Sequence, residues 1–185
     1  MLPLQPVAAS RAGLSRAGLY RAADAGDLVR IARGIYLPAQ QSASDWDLIE
    51  AVTRRPDATI CLTSALSYYD LIDTIPSTLD MAIPRGSRSP ATEQAITWHQ
   101  FAQPTFDLGR STMPIEGSKL TIGIYSPERC IADAFRMRGQ LGYETARDAL
   151  KEWLRRGGKP NRIIEIGLQL PRAKTPLMHA LETLT

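Results

Sequence analysis

The strongest local signal in the sequence is a capped helix that passes directly into a β-hairpin pattern, near the start of the chain. Ser15 is a good N-cap because its hydroxyl can accept a hydrogen bond from a free backbone N–H of the first turn. Gly26 supplies the left-handed residue that commonly ends a helix. After it the apolar spacing changes from a helical period to a period of two, and the pattern turns at residues 32–34. The sequence therefore predicts a helix over residues 15–25 and a hairpin over residues 26–39.

A shorter element precedes these two. Residues 7–12 favour a short helix, and Gly13 favours a turn after it. The order of short helix, turn, helix and hairpin is that of the end of a winged helix-turn-helix domain. In this interpretation residues 15–25 form the recognition helix and residues 26–39 form the wing.

The stretch after the hairpin predicts a linker and then a larger domain. Residues 38–44 are polar and carry no periodicity, as is typical of a linker. The remainder predicts a mixed α+β domain with a small sheet and several helices. We therefore expect an α+β chain with a truncated winged helix-turn-helix domain (1–39), a linker (40–44) and an α+β domain (45–185).

Alternation and helical spacing locate most elements of the larger domain. Strands are predicted in STLDMAIP, AITWHQFA and KLTIGIYS, and helices in DWDLIEAVTR, PERCIADAFRMR, YETARDALKEWLRR, NRIIEIGLQL and TPLMHALETL. The stretch ATICLTSALSYYDLI predicts a mostly buried helix, although its residues 59–62 also fit a strand. Ser126 is expected to cap the helix that follows it. In the helix of DWDLIEAVTR, we expect Trp46, Ile49 and Val52 to face the core.

The excess positive charge lies entirely in the first fifth of the chain. Residues 1–39 contain five arginines, two aspartates and no lysine, which gives +3, whereas residues 40–185 balance 17 basic against 17 acidic residues. The planar guanidinium group of arginine suits phosphate groups and guanine edges. A basic segment beside a neutral body favours a polyanionic partner, although a solvated arginine face would show the same composition.

The composition also limits the location of the protein. The chain has 185 residues and no apolar run near the ~20 residues that span a bilayer. Its start has no cationic segment followed by an apolar one, so it does not resemble a secretion signal. Cys61 and Cys130 lie in apolar contexts, which favours buried free thiols over a disulfide. We expect a cytoplasmic protein that is not associated with a membrane.

Metal and cofactor motifs are absent from the sequence. His99 and His179 stand far apart, and no His, Cys and Asp cluster has the spacing of metal ligands. We expect His99 to be structural and His179 to lie on the surface. There is no phosphate-binding loop, no dinucleotide fingerprint and no nucleophile elbow. We therefore expect neither a metal nor a cofactor.

Candidate catalytic side chains are equally isolated. Ser64 and Tyr68 lie one helical turn apart, but no base is placed to activate them, so packing is the better interpretation. Glu128 and Asp133 do not share a helix face; we expect Glu128 to stabilise a helix start and Asp133 to be buried and paired with an arginine. Asp80 lacks the partners that a nuclease needs. The sequence predicts a protein that is not an enzyme.

Four stretches occur in order along the chain: LVRIARGIYLP, ICLTSALSYYDL, MAIPRGSRSP and IYSPERCIADAFRMR. Together they resemble the AbiEi family, the antitoxins and transcriptional regulators of bacterial type IV toxin–antitoxin systems that are linked to abortive infection by phage. The resemblance implies an N-terminal winged helix that binds inverted repeats in its own promoter. It also implies a C-terminal domain that counters a nucleotidyltransferase-like toxin, and no catalytic activity.

The chain departs from the family pattern in two places. Family members begin with a full helix ahead of the short one, but here only MLPLQP precedes residue 7, and its two prolines disfavour a helix. We expect either a start further upstream or a partner that completes the domain. The family often has a histidine in the SAL helix, where this chain has Tyr68, Tyr69 and Asp70.

These inferences define a predicted DNA-binding surface. The recognition helix would contribute the exposed face and first turn, and the wing would grip the phosphate backbone or minor groove. The residues concerned are Ser15, Arg16, Ala17, Tyr20 and Arg21 on the helix and Arg30, Arg33 and Gly34 on the wing. Arg85 and Arg88 in the loop PRGSRSP would extend the surface, although a plain solvated loop fits them equally. Two copies are expected on a promoter inverted repeat.

Two alternatives remain open at this level. The chain could neutralise a toxin by direct contact and carry a decayed DNA-binding domain, as the missing first helix suggests. It could also be a regulator that acts without a toxin partner.

Overall fold

A computed structural model describes residues 3–4, 15–39 and 45–184 and shows a mixed α+β chain, as predicted. The described helices are α1 (Arg16–Asp24), α2 (Trp46–Arg54), α3 (Leu62–Tyr68), α4 (Pro127–Arg136), α5 (Arg138–Leu141), α6 (Tyr143–Arg155), α7 (Pro160–Gln169) and α8 (Lys174–Leu184). The strands are β1 (Leu28–Ala32), β2 (Ile35–Pro38), β3 (Thr59–Ile60), β4 (Leu79–Pro84), β5 (Ile96–Phe101), β6 (Arg110–Pro114) and β7 (Thr121–Tyr125). None of the described helices is long and apolar enough to cross a membrane.

The capped helix is confirmed. The Ser15 hydroxyl accepts a hydrogen bond from the backbone N–H of Gly18 at 3.0 Å, as an N-cap should. Gly26 has a φ of 81° and its N–H donates to the carbonyl of Ala23, which closes the C-terminal end of α1. The short helix predicted over residues 7–12 lies outside the described residues, so the winged helix-turn-helix domain as a whole stays a prediction.

The predicted hairpin is also confirmed, with a bulge in its first strand. β1 and β2 pair antiparallel, and the register shifts between Arg30 and Ala32. Because the bulge adds one residue to β1, Ile31 and Ala32 are both buried and the simple alternation of the sequence is broken. Leu4 adds a single antiparallel bridge to Tyr36, which ties the start of the chain to β2.

The second strand of the hairpin is buried on both faces. Tyr36 packs with Leu19 of α1 in a small cluster that also holds Leu4, Ala23 and Leu28. Ile35 and Leu37 point the other way and belong to the main core of the chain, together with β3, β7 and α4. Alternate side chains of β2 therefore join α1 to the larger unit. The predicted division at residues 39 and 45 stays a prediction, and residues 40–44 lie outside the described part.

The larger sheet has the strand order β5-β4-β3-β7-β6. β4 pairs parallel with β5 and β3 pairs parallel with β7, while the remaining two pairings are antiparallel. The three predicted strands are confirmed as β4, β5 and β7. Thr59 and Ile60 form a strand, so the strand alternative for the start of that stretch is correct, and β6 is a strand that sequence patterning missed.

Helix α4 runs through the centre of the larger core. The Ser126 hydroxyl accepts from the N–H of Arg129 at 3.3 Å, so the predicted cap is confirmed. Asp133 is buried, and its carboxylate lies 2.8 Å from both Nε of Arg129 and Nη2 of Arg136. The predicted pairing of Asp133 with an arginine is therefore confirmed. The Arg129 guanidinium also lies 4.3 Å from the centre of the Tyr125 ring, where it gains cation–π attraction.

Two expectations about burial are wrong. Trp46 is 41% exposed as the first residue of α2, whereas Ile49 and Val52 are buried as expected. Tyr68 is 55% exposed at the end of α3, so packing does not explain it. Ser64, one helical turn before Tyr68, does have the expected structural role, because its hydroxyl accepts a hydrogen bond from the Asp80 N–H at 2.8 Å.

The cysteines and histidines stand as predicted. Cys61 and Cys130 are buried free thiols, and burial raises the pKa of both. His99 has a structural contact, with Nε2 placed 2.8 Å from the carboxylate of Asp80. His179 is exposed on α8. The described residues hold no group of three or more His, Cys, Asp or Glu side chains that could bind a metal ion.

Candidate nucleic-acid interface

Helix α1 and the hairpin enclose a concave surface of about 350 Å³, which we name the arginine groove. Its lining consists of Arg16, Leu19, Tyr20, Arg30, Arg33, Gly34, Tyr36 and Arg54. Five of the sequence-predicted DNA-binding residues are therefore brought together, although they come from two different elements. Four arginines on one concave surface favour a polyanionic ligand.

The rest of the predicted helix face is exposed beside the groove. Ser15, Ala17 and Arg21 are exposed but do not line it. Leu19 is 1% exposed at the base of the groove and packs with Tyr36, which holds α1 against the hairpin. The amphipathic spacing of α1 therefore places its polar face outward, as predicted, and leaves that face available to a partner.

Tyr20 is the aromatic residue at the centre of this face. Its ring contacts the edge of Tyr36 with 6.4 Å between the ring centres. A hydrogen bond from Arg16 and the positive charge of Arg16 lower the pKa of Tyr20. The contacts with Arg16 and Tyr36 orient a half-exposed phenol toward the groove, where its hydroxyl can bond a phosphate or a base edge.

The tip of the hairpin presents Arg33 to solvent. Gly34 has a φ of 77°, a conformation that favours glycine and allows the tight two-residue turn. Nη2 of Arg54 donates to the carbonyl of Arg33 at 3.0 Å. This bond uses the backbone of Arg33 and leaves its guanidinium free to contact a ligand.

Arg54 is a groove residue that sequence reasoning missed. It lies at the end of α2 and also bonds the carboxylate of Glu50 at 3.2 Å. Glu50 is fully buried and accepts from the backbone N–H groups of Glu93 and Gln94. No local pattern marks Arg54, because its role depends on a hairpin 21 residues earlier in the chain.

The loop around Glu93 contacts β1, the first strand of the hairpin. The Glu93 carboxylate lies 3.0 Å from Nη2 of Arg30, and both side chains are 49% exposed. Nε2 of Gln94 donates to the carbonyl of Ile31 at 3.1 Å. The larger unit therefore fixes β1 by side-chain contacts, and it places one carboxylate at the edge of the arginine groove.

The second predicted basic loop lies outside the groove. Arg85 and Arg88 are exposed in the loop after β4 but do not line the concave surface. The loop contacts the end of α2 through Ser87, whose hydroxyl lies 2.8 Å from Nη2 of Arg55. Arg55 follows Arg54, so the loop and the groove are connected through one helix end.

Comparison with known proteins gives a family for the part of the chain that holds the groove. Residues 7–39 match the AbiEi antitoxin family. The matching family model is described as "Transcriptional regulator, AbiEi antitoxin". The match confirms the AbiEi resemblance over this segment and supports a general role as an antitoxin or regulator. It covers every residue that lines the groove except Arg54.

A solved structure resembles the chain well beyond the AbiEi segment. The crystal structure of the RV2827C protein from Mycobacterium tuberculosis superposes with a TM-score of 0.64 and 14% identity, over 99% of this chain and 72% of that one. At this identity the likeness concerns the fold alone. No curated protein matches the sequence.

Proposed function

We propose that this chain is a DNA-binding antitoxin that represses its own promoter, with α1 as recognition helix and the hairpin as wing. The observation that carries the proposal is the convergence of Arg16, Arg30, Arg33 and Arg54 on one groove beside the exposed face of α1. Helix, hairpin and basic surface are the parts that a winged helix-turn-helix domain uses on DNA. The AbiEi match over the same segment supports this use.

Each part of the surface has a distinct expected role. Arg16, Ala17, Tyr20 and Arg21 would face the major groove, since side chains on the exposed face of a recognition helix reach base edges. Ser15 and the first N–H groups of α1 would lie near a phosphate. Arg33 at the hairpin tip would contact the adjacent backbone or minor groove.

The remaining parts of the proposal follow from the AbiEi resemblance. Two copies would bind a promoter inverted repeat, since palindromic operators reflect two-fold symmetry. The chain would act in the cytoplasm and counter a nucleotidyltransferase-like toxin. It would do so without catalysis of its own.

Promoter binding tests the proposal. Fluorescence anisotropy would compare a labelled duplex carrying the inverted repeat with a scrambled duplex of the same length, at several salt concentrations. We expect tighter binding to the repeat. Arg16→Ala and Arg21→Ala should reduce the preference for the repeat over the scrambled duplex, whereas Arg147→Ala on the exposed face of α6 should leave it unchanged. Equal binding to both duplexes by the unaltered protein would contradict the proposal.

One observation favours a second candidate function, neutralisation of a toxin by direct contact. Trp46, Tyr68 and Ile75 are 41%, 55% and 88% exposed, and their sequence neighbours Asp47, Ser67 and Pro76 line a groove of about 260 Å³. A groove whose lining residues are next in sequence to exposed apolar residues is a candidate binding surface for a protein partner.

Co-elution of the purified chain with the purified product of a neighbouring toxin gene tests this candidate. A complex that Tyr68→Ser and Ile75→Ser disrupt would support it. Separate elution of the two proteins would contradict it.

A further inference from the structure

A second basic concavity lies between the end of α4, α5 and the connection from α7 to α8. It has a volume of about 500 Å³ and is lined by Arg136, Met137, Arg138, Gly139, Gln140 and Arg172. We name it the C-terminal cleft. Its volume is in the range of small-molecule binding sites, and its lining contains three arginines and no carboxylate.

Arg172 in this cleft has an unusual backbone. Its φ is 67°, in the left-handed region that disfavours side chains other than glycine and asparagine. The Arg172 side chain is exposed, and the described residues supply it with neither a hydrogen bond nor an ion pair. The backbone strain holds Arg172 at the cleft, and its guanidinium, which forms no hydrogen bond or ion pair within the described residues, is free to bind a ligand there.

The other two arginines are oriented by the structure and keep spare donors. Nη1 of Arg138 donates to the carbonyl of Phe135 at 3.0 Å, which fixes the side chain at the end of α4. Arg136 bonds Asp133, but its Nε is buried without an acceptor. Asp133 also pairs with Arg129. The single negative charge of Asp133 therefore faces the positive charges of two arginines, Arg129 and Arg136.

We propose that the C-terminal cleft binds the phosphate group of a nucleotide. Arg138 and Arg172 would form charge-assisted hydrogen bonds to the phosphate oxygens, and the fork of each guanidinium suits that geometry. Met137 supplies an apolar wall on which a flat base can pack. The phosphate comes either from a free nucleotide or from a nucleic-acid strand, because both present the same chemistry to the cleft.

Calorimetric titration with ATP and with a ten-nucleotide thymidine strand tests the proposal and separates the two sources. We expect at least one probe to bind. Arg138→Ala should weaken that binding ~10-fold, as expected for the loss of one charge-assisted hydrogen bond. Arg172→Gly should weaken it similarly, while the melting temperature stays the same or rises because glycine accepts the left-handed backbone.

Two control variants make the result specific to the cleft. Arg147→Ala and Lys151→Ala each remove a charge from the exposed face of α6, and neither residue lines either basic concavity; both should leave affinity for either probe unchanged. Binding of ATP alone identifies a free nucleotide as the ligand, and binding of the strand alone identifies a nucleic acid.

Failure of both probes to bind would overturn the proposal. So would binding that Arg138→Ala and Arg172→Gly leave intact, or binding that Arg147→Ala weakens equally.

Discussion

The carboxylate of Glu93 lies 3.0 Å from the guanidinium of Arg30, and this ion pair joins the larger unit of the chain to the first strand of the hairpin. Both side chains are half exposed, so the pair contributes little to stability. Its effect is electrostatic, because Glu93 places a negative charge next to Arg30, one of the four arginines of the arginine groove. A DNA phosphate that approaches Arg30 therefore meets the negative charge of Glu93 beside it.

Glu93→Gln should therefore strengthen promoter binding. The change removes a negative charge at the edge of the groove, and we expect a gain of ~0.5–1 kcal/mol in binding with a free energy of unfolding almost unchanged. Anisotropy titration and chemical denaturation measure the two quantities. Glu116→Gln, at an exposed turn, is the matched control and should alter neither. A Glu93→Gln variant that binds the promoter more weakly would show that the pair orients Arg30 for DNA.

Leu37→Ala should destabilise the hairpin and the larger core together. Leu37 is 2% exposed and belongs to the main core, although it lies within the predicted DNA-binding segment. Truncation of a buried leucine costs about 2–5 kcal/mol. Thermal denaturation should show one transition shifted to lower temperature. Val29→Ala, in the exposed part of the same hairpin, should cost less than about 1 kcal/mol. A Leu37→Ala chain that loses the hairpin but keeps the melting temperature of the larger unit would contradict this coupling.

Local structure near the start of the chain could be predicted from the sequence because its signals are local. The cap at Ser15, the ending at Gly26 and the turn at Gly34 each depend on neighbours within a few residues. The spacing of Arg16 and Tyr20 on a helix, and of Arg30 and Arg33 on a hairpin, predicted their exposure in the same way.

Features that depend on distant parts of the chain could not be predicted. Arg54 and Glu93 reach the groove through contacts across 21 and 63 residues, which no periodicity records. Strand β6 was missed because RSTMP lies at the sheet edge, mostly exposed, and carries no apolar alternation. Trp46 was assigned to the core by its spacing, but it is the first residue of α2 and stays exposed, and burial in this helix begins at Leu48.

Asp80 should make the free energy of unfolding depend on pH in the acidic range. Burial raises its pKa, but hydrogen bonds from His99 and Thr63 outweigh burial, and the pKa of Asp80 lies below its ordinary value of 3.8. A carboxylate with a lowered pKa stabilises the fold above its ordinary pKa, and this contribution is lost as the pH falls below it.

Asp80→Asn should therefore lower the free energy of unfolding by ~1–3 kcal/mol at neutral pH and reduce its fall below about pH 4. Denaturation at several pH values measures both effects. Asp73→Asn, at an exposed position, serves as the control. An acid dependence that Asp80→Asn leaves unaltered would exclude this carboxylate as its source.

The most direct test of the proposed wing is promoter binding by the Arg33→Ala variant across a range of salt concentrations. The substitution keeps the Arg33 carbonyl that Arg54 binds, so the hairpin should stay in place while one phosphate contact is lost. We expect binding to weaken by ~1 kcal/mol for every DNA sequence, and the slope of log affinity against log salt to fall by about 0.9. An affinity and a salt slope equal to those of the unaltered protein would contradict the assignment of this hairpin as a DNA-binding wing.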